Sequence, residues 1–564
     1  MTNYKSNLNP MFRSKFSEDI FNHKYRHQGA ETWAALAKTL VNDVCSVAGE
    51  AMSKEDRDQL EAYIRDMKFL PGGRYLYYAG RPNKFFNNCY LLKAEEDSRE
   101  DWANLSWKAE SCLMTGGGIG VDYSVYRGEG APIQRTGGQA SGPIPKMNMI
   151  NEIGRRVMQG GSRRSAIYAS LNWQHSDVKS FLKAKDWADM PVGSTGKTLW
   201  DIKQEDFNFP APLDMTNISV NYDTDWLLKY YETGDPGEVF KENVRQALKT
   251  AEPGFSFNFF DKENETLRNA CTEVTSEDDS DVCNLGSINL GRVEGVEELA
   301  DVVRLSTMFL ICGTLKAHLP YDKVHLIRSK NRRLGLGLMG MHEWLIQRGY
   351  RYEVTPELHN WLSVYKGVSD KTSKEFADRL SVTRPVANRA IAPTGSIGIL
   401  AGTSTGIEPI FAVAYKRRYL KGGNRWHYQY VVDSAAQELI DMYGADPKNV
   451  ESALDLANDY ERRIKFQADV QDYVDMSISS TINLPARGSK HNNDSTDEKF
   501  ASVLAKYAHR LRGFTCYPDG ARGGQPLTSV SYQEAVDKLG EEFEEHVEAH
   551  DICDLTGAGG TCGI

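Results

Sequence analysis

Strand-like and helix-like stretches alternate along this chain for more than about 400 residues, and this alternation constrains the fold more than any other feature. It is the signature of an α/β architecture, in which helices cover both faces of a largely parallel sheet. Gly118-Ile-Gly-Val-Asp-Tyr-Ser and Thr216-Asn-Ile-Ser-Val read as strands beside glycine-rich turns. Residues 31 to about 68 carry helical spacing, with Trp33, Leu36, Leu40 and Val44, then Leu60, Tyr63, Ile64 and Met67. Leu70-Pro71-Gly72-Gly73 closes that segment. Residues 296–317 read as a helix, as do 531–548, and 549–564 read as a mobile tail. Leu334-Gly-Leu-Gly-Leu-Met-Gly-Met reads as a tight turn or a closely packed helix entry, and 486–496 as a polar loop.

Composition excludes several function classes. A net charge of −10 argues against bulk binding of a nucleic-acid polymer, which favours basic domains, although one pocket can still be basic. No apolar run is long enough for a membrane span, and the first residues lack the apolar core of a signal peptide. Nine cysteines, an odd number without a C-x-x-C pair, give no zinc ribbon and no disulfide framework. A reducing, cytoplasmic location is expected, or the host's cytoplasm for a viral chain. Cys45, Cys112 and Cys312 read as small core residues.

Chemistry concentrates in Asn269-Ala-Cys271-Thr-Glu273. If extended, this segment puts an amide, a thiol and a carboxylate on one side, since strand side chains alternate at period two. The carboxylate can take a proton from a substrate hydroxyl, the amide can hold the neighbouring hydroxyl, and the sulfur can attack the carbon between them. Two more thiols have similarly distinctive surroundings, Cys283 in Val-Cys-Asn-Leu-Gly-Ser-Ile-Asn-Leu and Cys89 in Asn-Asn-Cys-Tyr-Leu-Leu. Pro393-Thr394-Gly395-Ser396-Ile397-Gly398 suits a phosphate on a loop entering a helix, or an ordinary capped helix start; it lacks the Gly-Lys-Ser/Thr ending of a Walker A loop. Thr115-Gly-Gly-Gly-Ile-Gly120 breaks the dinucleotide fingerprint order, so close backbone approach explains its glycines better. Gly160-Gly-Ser-Arg163-Arg164-Ser165 is either an anion clamp or a solvated basic loop. Cys553 and Cys562 lie in a glycine-rich tail, where thiol–disulfide exchange is the favoured role over two unrelated surface thiols.

Together these motifs, with Gly335-Leu-Gly-Leu-Met-Gly, Gly406-Ile-Glu-Pro and Tyr517 to Gly524, resemble the catalytic subunit of ribonucleotide reductases from about Leu70 onward. The resemblance implies a ten-stranded β/α barrel of two five-stranded parallel halves set antiparallel, with Cys271 on a central finger loop and an N-terminal helical segment. It implies three parts: residues 1–70, a barrel over 71–530, and a helix with a redox tail over 531–564. Cys271 would carry a thiyl radical, Glu273 would deprotonate the 3′-hydroxyl, and Asn269 would hold the ribose. Cys89 and Cys283 would reduce the 2′ position. Asn88, Gly118 and Thr394 to Gly398 would bind substrate, and Arg163 and Arg164 would lie near an effector site. No metal would be ligated directly by protein.

The three branches of that family differ in how the radical arises. A glycyl-radical motif is absent from the end of the chain. The branch with a separate metal-bearing radical subunit relays through two adjacent tyrosines, whereas here Tyr517 stands alone before Pro518. That pattern resembles the adenosylcobalamin-dependent branch, so adenosylcobalamin is the expected cofactor. The alternative is no cofactor in this chain and a radical from a separate subunit; a remote third reading is a nucleotide-binding homologue without activity. Expected partners are a ribonucleotide substrate, a dNTP or ATP effector, and a thioredoxin- or glutaredoxin-like reductant. A homodimer is one way of building the effector site. The ATP-binding cone that often precedes this fold has no room at the N-terminus, so control of overall activity by dATP is not expected.

Overall fold

The computed structural model describes residues 11–157, 165–206, 209–421, 425–521, 527–539 and 542–546. Its core is a ten-stranded mixed sheet: β1 (Phe69–Pro71), β2 (Cys89–Lys93), β3 (Gly118–Asp122), β4 (Ile167–Asn172), β5 (Thr216–Tyr222), β6 (Gly254–Phe257), β7 (Asp281–Asn289), β8 (Leu334–Met339), β9 (Thr481–Leu484) and β10 (Gly513–Pro518). Strands β2 to β6 run parallel in order and form one half. The second half pairs β7 with β8 and β9 with β10, also parallel. Residues 389–391 bridge these two pairs through Leu336↔Arg389 and Ile391↔Ile478. Two antiparallel seams join the halves, β2 to β7 and β6 to β10, so the sheet closes as a barrel. The strands are buried almost continuously, as expected when a sheet is covered on both faces.

Helices precede the barrel. α1 spans Lys15–Ile20, α2 Trp33–Val44 and α3 Lys54–Arg65. Thr32 and Ser53 cap α2 and α3 by accepting from Ala35 N and Asp56 N. The apolar stripe of α2 is buried, and Trp33 Nε1 donates to the Arg65 carbonyl at 2.9 Å, tying the two helices together. Both pack on α4 (Val296–Lys316), where Arg304 meets Asp56 and Tyr63 meets Asp301.

Two sequence expectations change. Residues 334–339 form strand β8, not a turn or a helix entry. Gly335 and Gly337 are there because neighbours crowd one face: a Cβ on Gly337 would lie 2.6 Å from the Ala390 carbonyl oxygen. The expected helix over 531–548 ends early, at Tyr532–Asp537, and Glu542–His546 pairs instead with Arg425–Val432. The sequence has a glycine at 540 between them, a poor helix residue. With Ala414–Lys421 and Leu527–Ser529 these strands make a separate four-stranded antiparallel sheet. Among the described residues no helix is long and apolar enough to cross a membrane.

Candidate active site

Between β6 and β7 the chain enters the barrel as a finger. Its two legs pair briefly at Leu267–Arg268 and Thr275–Ser276. The finger lies against β3 so closely that a Cβ on Gly120 would sit 1.7 Å from the Arg268 carbonyl oxygen, and one on Gly118 would sit 3.2 Å from Ala270 Cβ. This is the close backbone approach expected of the Gly116–Gly120 run.

The root of the finger is densely bonded. Buried Arg268 donates to Asn258 Oδ1 (2.7 Å) and to the carbonyls of Glu265, Leu267 and Arg512. Glu265 meets Arg512 at 3.1 Å and accepts the Thr275 hydroxyl at 2.8 Å. Arg333 donates to Asp281 at 2.7 Å, and Asp281 also accepts from Ser276 and Asn331. Burial alone would push the Glu265 carboxyl up, but Arg512, Arg333, Lys262 and the Thr275 hydroxyl bring it down to about 2. None of these anchoring residues stood out in the sequence, because no short motif contains them.

The tip is built differently. Asn269 to Glu273 is not extended, so period-two alternation does not order its side chains. It is a tight turn closed by Thr272 N donating to the Asn269 carbonyl at 3.0 Å, with Thr272 at φ +73°. Asn269 Oδ1 accepts from Val274 N at 2.9 Å and so holds the turn itself. Asn217 Nδ2 donates to the Ala270 carbonyl at 3.3 Å, and Ser477 N to the Glu273 carbonyl at 2.8 Å, fixing the tip from opposite halves of the barrel. Neither asparagine 217 nor serine 477 was singled out from the sequence. Cys271 at the turn is 6% exposed, while Asn269 and Glu273 are fully buried. Both Glu273 carboxyl oxygens and Asn269 Nδ2 lack hydrogen-bond partners. Burial pushes the Glu273 carboxyl up to about 7, and its own backbone N–H and then the Asn269 amide offset only part of that rise.

Cys89 and Cys283 face each other directly across the antiparallel seam between β2 and β7. Both are buried thiols. Directly opposed residues have Cα atoms about 4.5–5.5 Å apart, inside the range a disulfide spans. Burial, then the neighbouring Glu273 and Asp281 carboxylates, hold the Cys283 thiol well above its ordinary pKa. Cys89 is also in register with Gly118 on β3, the glycine that contacts the finger tip. Seam and tip are therefore neighbours.

Because the halves run antiparallel, the starts of β2 and β3 and the loop after residues 389–391 share one end of the barrel. That end gathers Asn88, whose Oδ1 is buried without a partner, Gly118, and Thr394 to Gly398. Thr394 adopts φ +52°, uncommon for a β-branched residue, and its hydroxyl accepts from Gly406 N at 2.8 Å. α6 (Gly395–Ala401) follows, led by buried Ser396, Ile397 and Gly398. Cys45, Cys112 and Cys312 are buried in the core, as expected. Arg163, Arg164, Cys553 and Cys562 lie outside the described residues.

The chain is similar to known proteins in sequence and in fold. The family described as "Ribonucleotide reductase, barrel domain" matches residues 87–193, 223–361 and 384–517. The chain is 26% identical over 543 residues to a vitamin B12-dependent ribonucleoside-diphosphate reductase of Mycobacterium tuberculosis (strain CDC 1551 / Oshkosh), covering 87% of this chain and 76% of that one. It is 27% identical over 523 residues to the Thermoplasma acidophilum protein of the same name, covering 84% and 66%. The fold matches the Actinobacillus ureae class Id ribonucleotide reductase alpha subunit with a TM-score of 0.70 and 17% identity, over 91% of this chain and 99% of that one.

The structural match corrects the expected radical source. That structure is described as a class Id alpha subunit, while the sequence relatives are named vitamin B12-dependent, so adenosylcobalamin bound in this chain is not upheld as the expected cofactor. The cobalamin expectation rested on lone Tyr517 before Pro518. Tyr517 is a buried strand residue in register with Asn483, and one side chain on a strand does not specify what supplies the radical.

Proposed function

This chain belongs to the ribonucleotide reductase family as a catalytic chain, and on that premise we propose that it reduces ribonucleotides to 2′-deoxyribonucleotides with a radical supplied by a separate metal-containing subunit. The observation that carries the reading is the opposed thiol pair Cys89–Cys283 beside the finger tip that bears Cys271 and Glu273.

In this reading the Cys271 thiyl takes the 3′ hydrogen, leaving a carbon radical and a Cys271 thiol. Glu273 accepts the 3′-hydroxyl proton, and a carboxyl raised to about 7 is suited to exchange protons near neutral pH. Asn269 Nδ2, unpartnered in its turn, is a donor for the ribose hydroxyls. The 2′-hydroxyl leaves as water with a proton from the Cys89–Cys283 pair. The pair then supplies two electrons and the second hydrogen, closing to a disulfide, Glu273 returns its proton to the 3′ oxygen, and Cys271 returns its hydrogen to C3′. The balance is ribonucleotide plus dithiol to deoxyribonucleotide, disulfide and water. Raised Cys283 stays protonated, as a hydrogen donor must.

Asn88, Gly118 and Thr394 to Gly398 are the proposed substrate contacts. Arg163 and Arg164 are the proposed effector contacts. Cys553 and Cys562 are proposed to re-reduce the barrel pair and to be reduced by a thioredoxin- or glutaredoxin-like partner in the cytoplasm. The test is deoxyribonucleotide formation from ribonucleoside di- and triphosphates with a dithiol, with either a ferritin-like radical subunit or adenosylcobalamin added. Product with the subunit only is expected. Product with adenosylcobalamin alone overturns the assigned radical source; no product with either, thiols intact and effectors present, overturns the reaction.

A further inference from the structure

The proposed phosphate loop contains no cation: residues 394–398 are Thr-Gly-Ser-Ile-Gly. A nucleoside di- or triphosphate brings several negative charges, and hydroxyl and backbone donors alone leave them largely unneutralised. A cation reaches this loop from the other end of the chain. Lys24 Nζ donates to Ser396 Oγ at 3.5 Å. Ser396 is itself 2% exposed, and Lys24 is half-buried.

Residues 13–24 are fastened to that loop. Lys24 lies in a π-helical turn, Phe21–Tyr25, whose Phe21 and Tyr25 are buried. Tyr25 is set under the chain at Gly73, where a Cβ would come within 2.9 Å of its hydroxyl. One turn earlier, Ser17 Oγ donates to the Ile399 carbonyl at 2.6 Å, in α6. Arg13 donates to the Gly402 carbonyl at 3.1 Å and to Glu343 Oε1 at 2.5 Å. Glu343 is fully buried on α5 (Met341–Gln347) and also accepts the Thr403 hydroxyl. Thr403 N returns to the Gly398 carbonyl at 3.0 Å, and Gly406 N to the Thr394 hydroxyl. Residues 13–24 therefore bind the loop at its start, along α6 and at its exit.

We propose that Lys24 is a substrate-binding residue whose ammonium neutralises the terminal phosphates, with Arg13 and Ser17 as positioning residues that keep the loop and Lys24 in register. This rests on the reading that Thr394 to Gly398 hold the substrate phosphates. It adds a specificity determinant: Lys24 makes affinity depend on the phosphate chain and not on the nucleoside.

The test is equilibrium binding of a ribonucleoside diphosphate and of the matching nucleoside to the full chain, comparing wild type with Lys24→Ala and Lys24→Arg. Binding needs no radical subunit. Thermal midpoints of the variants check that the fold is kept. Lys24→Ala is expected to weaken diphosphate binding roughly ten- to a hundredfold, the range for a charge-assisted hydrogen bond, and to leave nucleoside binding unchanged. Lys24→Arg is expected to recover most of the loss. In turnover with a radical subunit, Lys24→Ala raises KM more than it lowers kcat. Unchanged diphosphate binding in Lys24→Ala overturns the proposal, and so does an equal loss of both ligands, which marks a structural role. If wild type itself binds diphosphate no better than nucleoside, the phosphate-loop reading fails, and the assignment of Lys24 with it.

Discussion

Glu265 and Glu273 lie on one finger loop and in opposite environments. At the root, Glu265 is surrounded by Arg512, Arg333 and the Thr275 hydroxyl, and its carboxyl falls to about 2. At the tip, Glu273 is buried with both oxygens unpartnered, and its carboxyl rises to about 7. Root and tip thus deviate by similar amounts in opposite directions. A charged, densely bonded network fixes the loop, and this lets the barrel tolerate a tip with an unsatisfied carboxyl, an unsatisfied amide and a positive φ. The comparison teaches where each kind of substitution acts. Root changes should be read in stability, tip changes in turnover.

The largest effect expected is at the tip. Cys271→Ser should reduce turnover to background while nucleotide affinity and thermal midpoint stay at wild-type values, because serine fills the same turn position without a sulfur to carry the radical. Single-turnover product analysis beside equilibrium nucleotide binding checks this. Residual turnover at a substantial fraction of wild type would remove Cys271 from the chemistry.

Glu273→Gln comes next, and it should separate activity from stability. Loss of a general base typically costs about 10²–10⁴ in rate. Stability should move the other way. The unfolded carboxyl titrates near 4.5 and the folded one near 7, so the stabilising preference for the neutral form is fully present below the unfolded value and is lost as pH rises through 7. The difference corresponds to roughly 3 kcal/mol. Glu273→Gln should therefore be more stable than wild type at pH 8 by up to that amount, and no different at pH 4. Denaturant midpoints at the two pH values decide it. Wild-type turnover should likewise rise with pH through about 7 as Glu273 ionises.

Much of this contrast was legible at the tip and almost none at the root. Asn269, Cys271 and Glu273 could be picked out because three reactive side chains fall within five positions, even though the turn replaces the extended segment that spacing suggested. Cys89 and Cys283 could be named, but their direct opposition needed the antiparallel seam, which joins stretches far apart in sequence. The root escaped notice for the same reason on a larger scale: Arg512 and Glu265 are 247 residues apart. Helical periodicity marked α4 to within a residue of its observed end, because a buried helix keeps its spacing under packing. Strand β8 was missed because alternating glycines signal a turn locally, and only the neighbouring strands show that they are needed for close packing.

At the root, Glu265→Gln should behave as the mirror image of Glu273→Gln. A depressed carboxyl contributes stability that is present above the unfolded value near 4.5 and lost as pH falls through about 2. The amide should therefore cost about 3 kcal/mol at pH 7, the linkage equivalent of that shift, and less at pH 3. Turnover at a temperature well below the midpoint should change far less than in the tip variants. A large loss of turnover without loss of stability would mean that root and tip are not separate functions of the loop.

The smallest effect tests the strain at the tip directly. Thr272 holds φ +73° inside the turn that presents Cys271. A β-branched residue is disfavoured there by about 1 kcal/mol or more, while asparagine tolerates the left-handed region. Thr272→Asn should raise stability by up to about 1 kcal/mol, the strain it relieves, and keep turnover, because the closing bond from residue 272 N to the Asn269 carbonyl uses only backbone atoms. A loss of turnover with unchanged stability would show that the Thr272 side chain contributes beyond the turn, and that the tip depends on more than its amide, thiol and carboxyl.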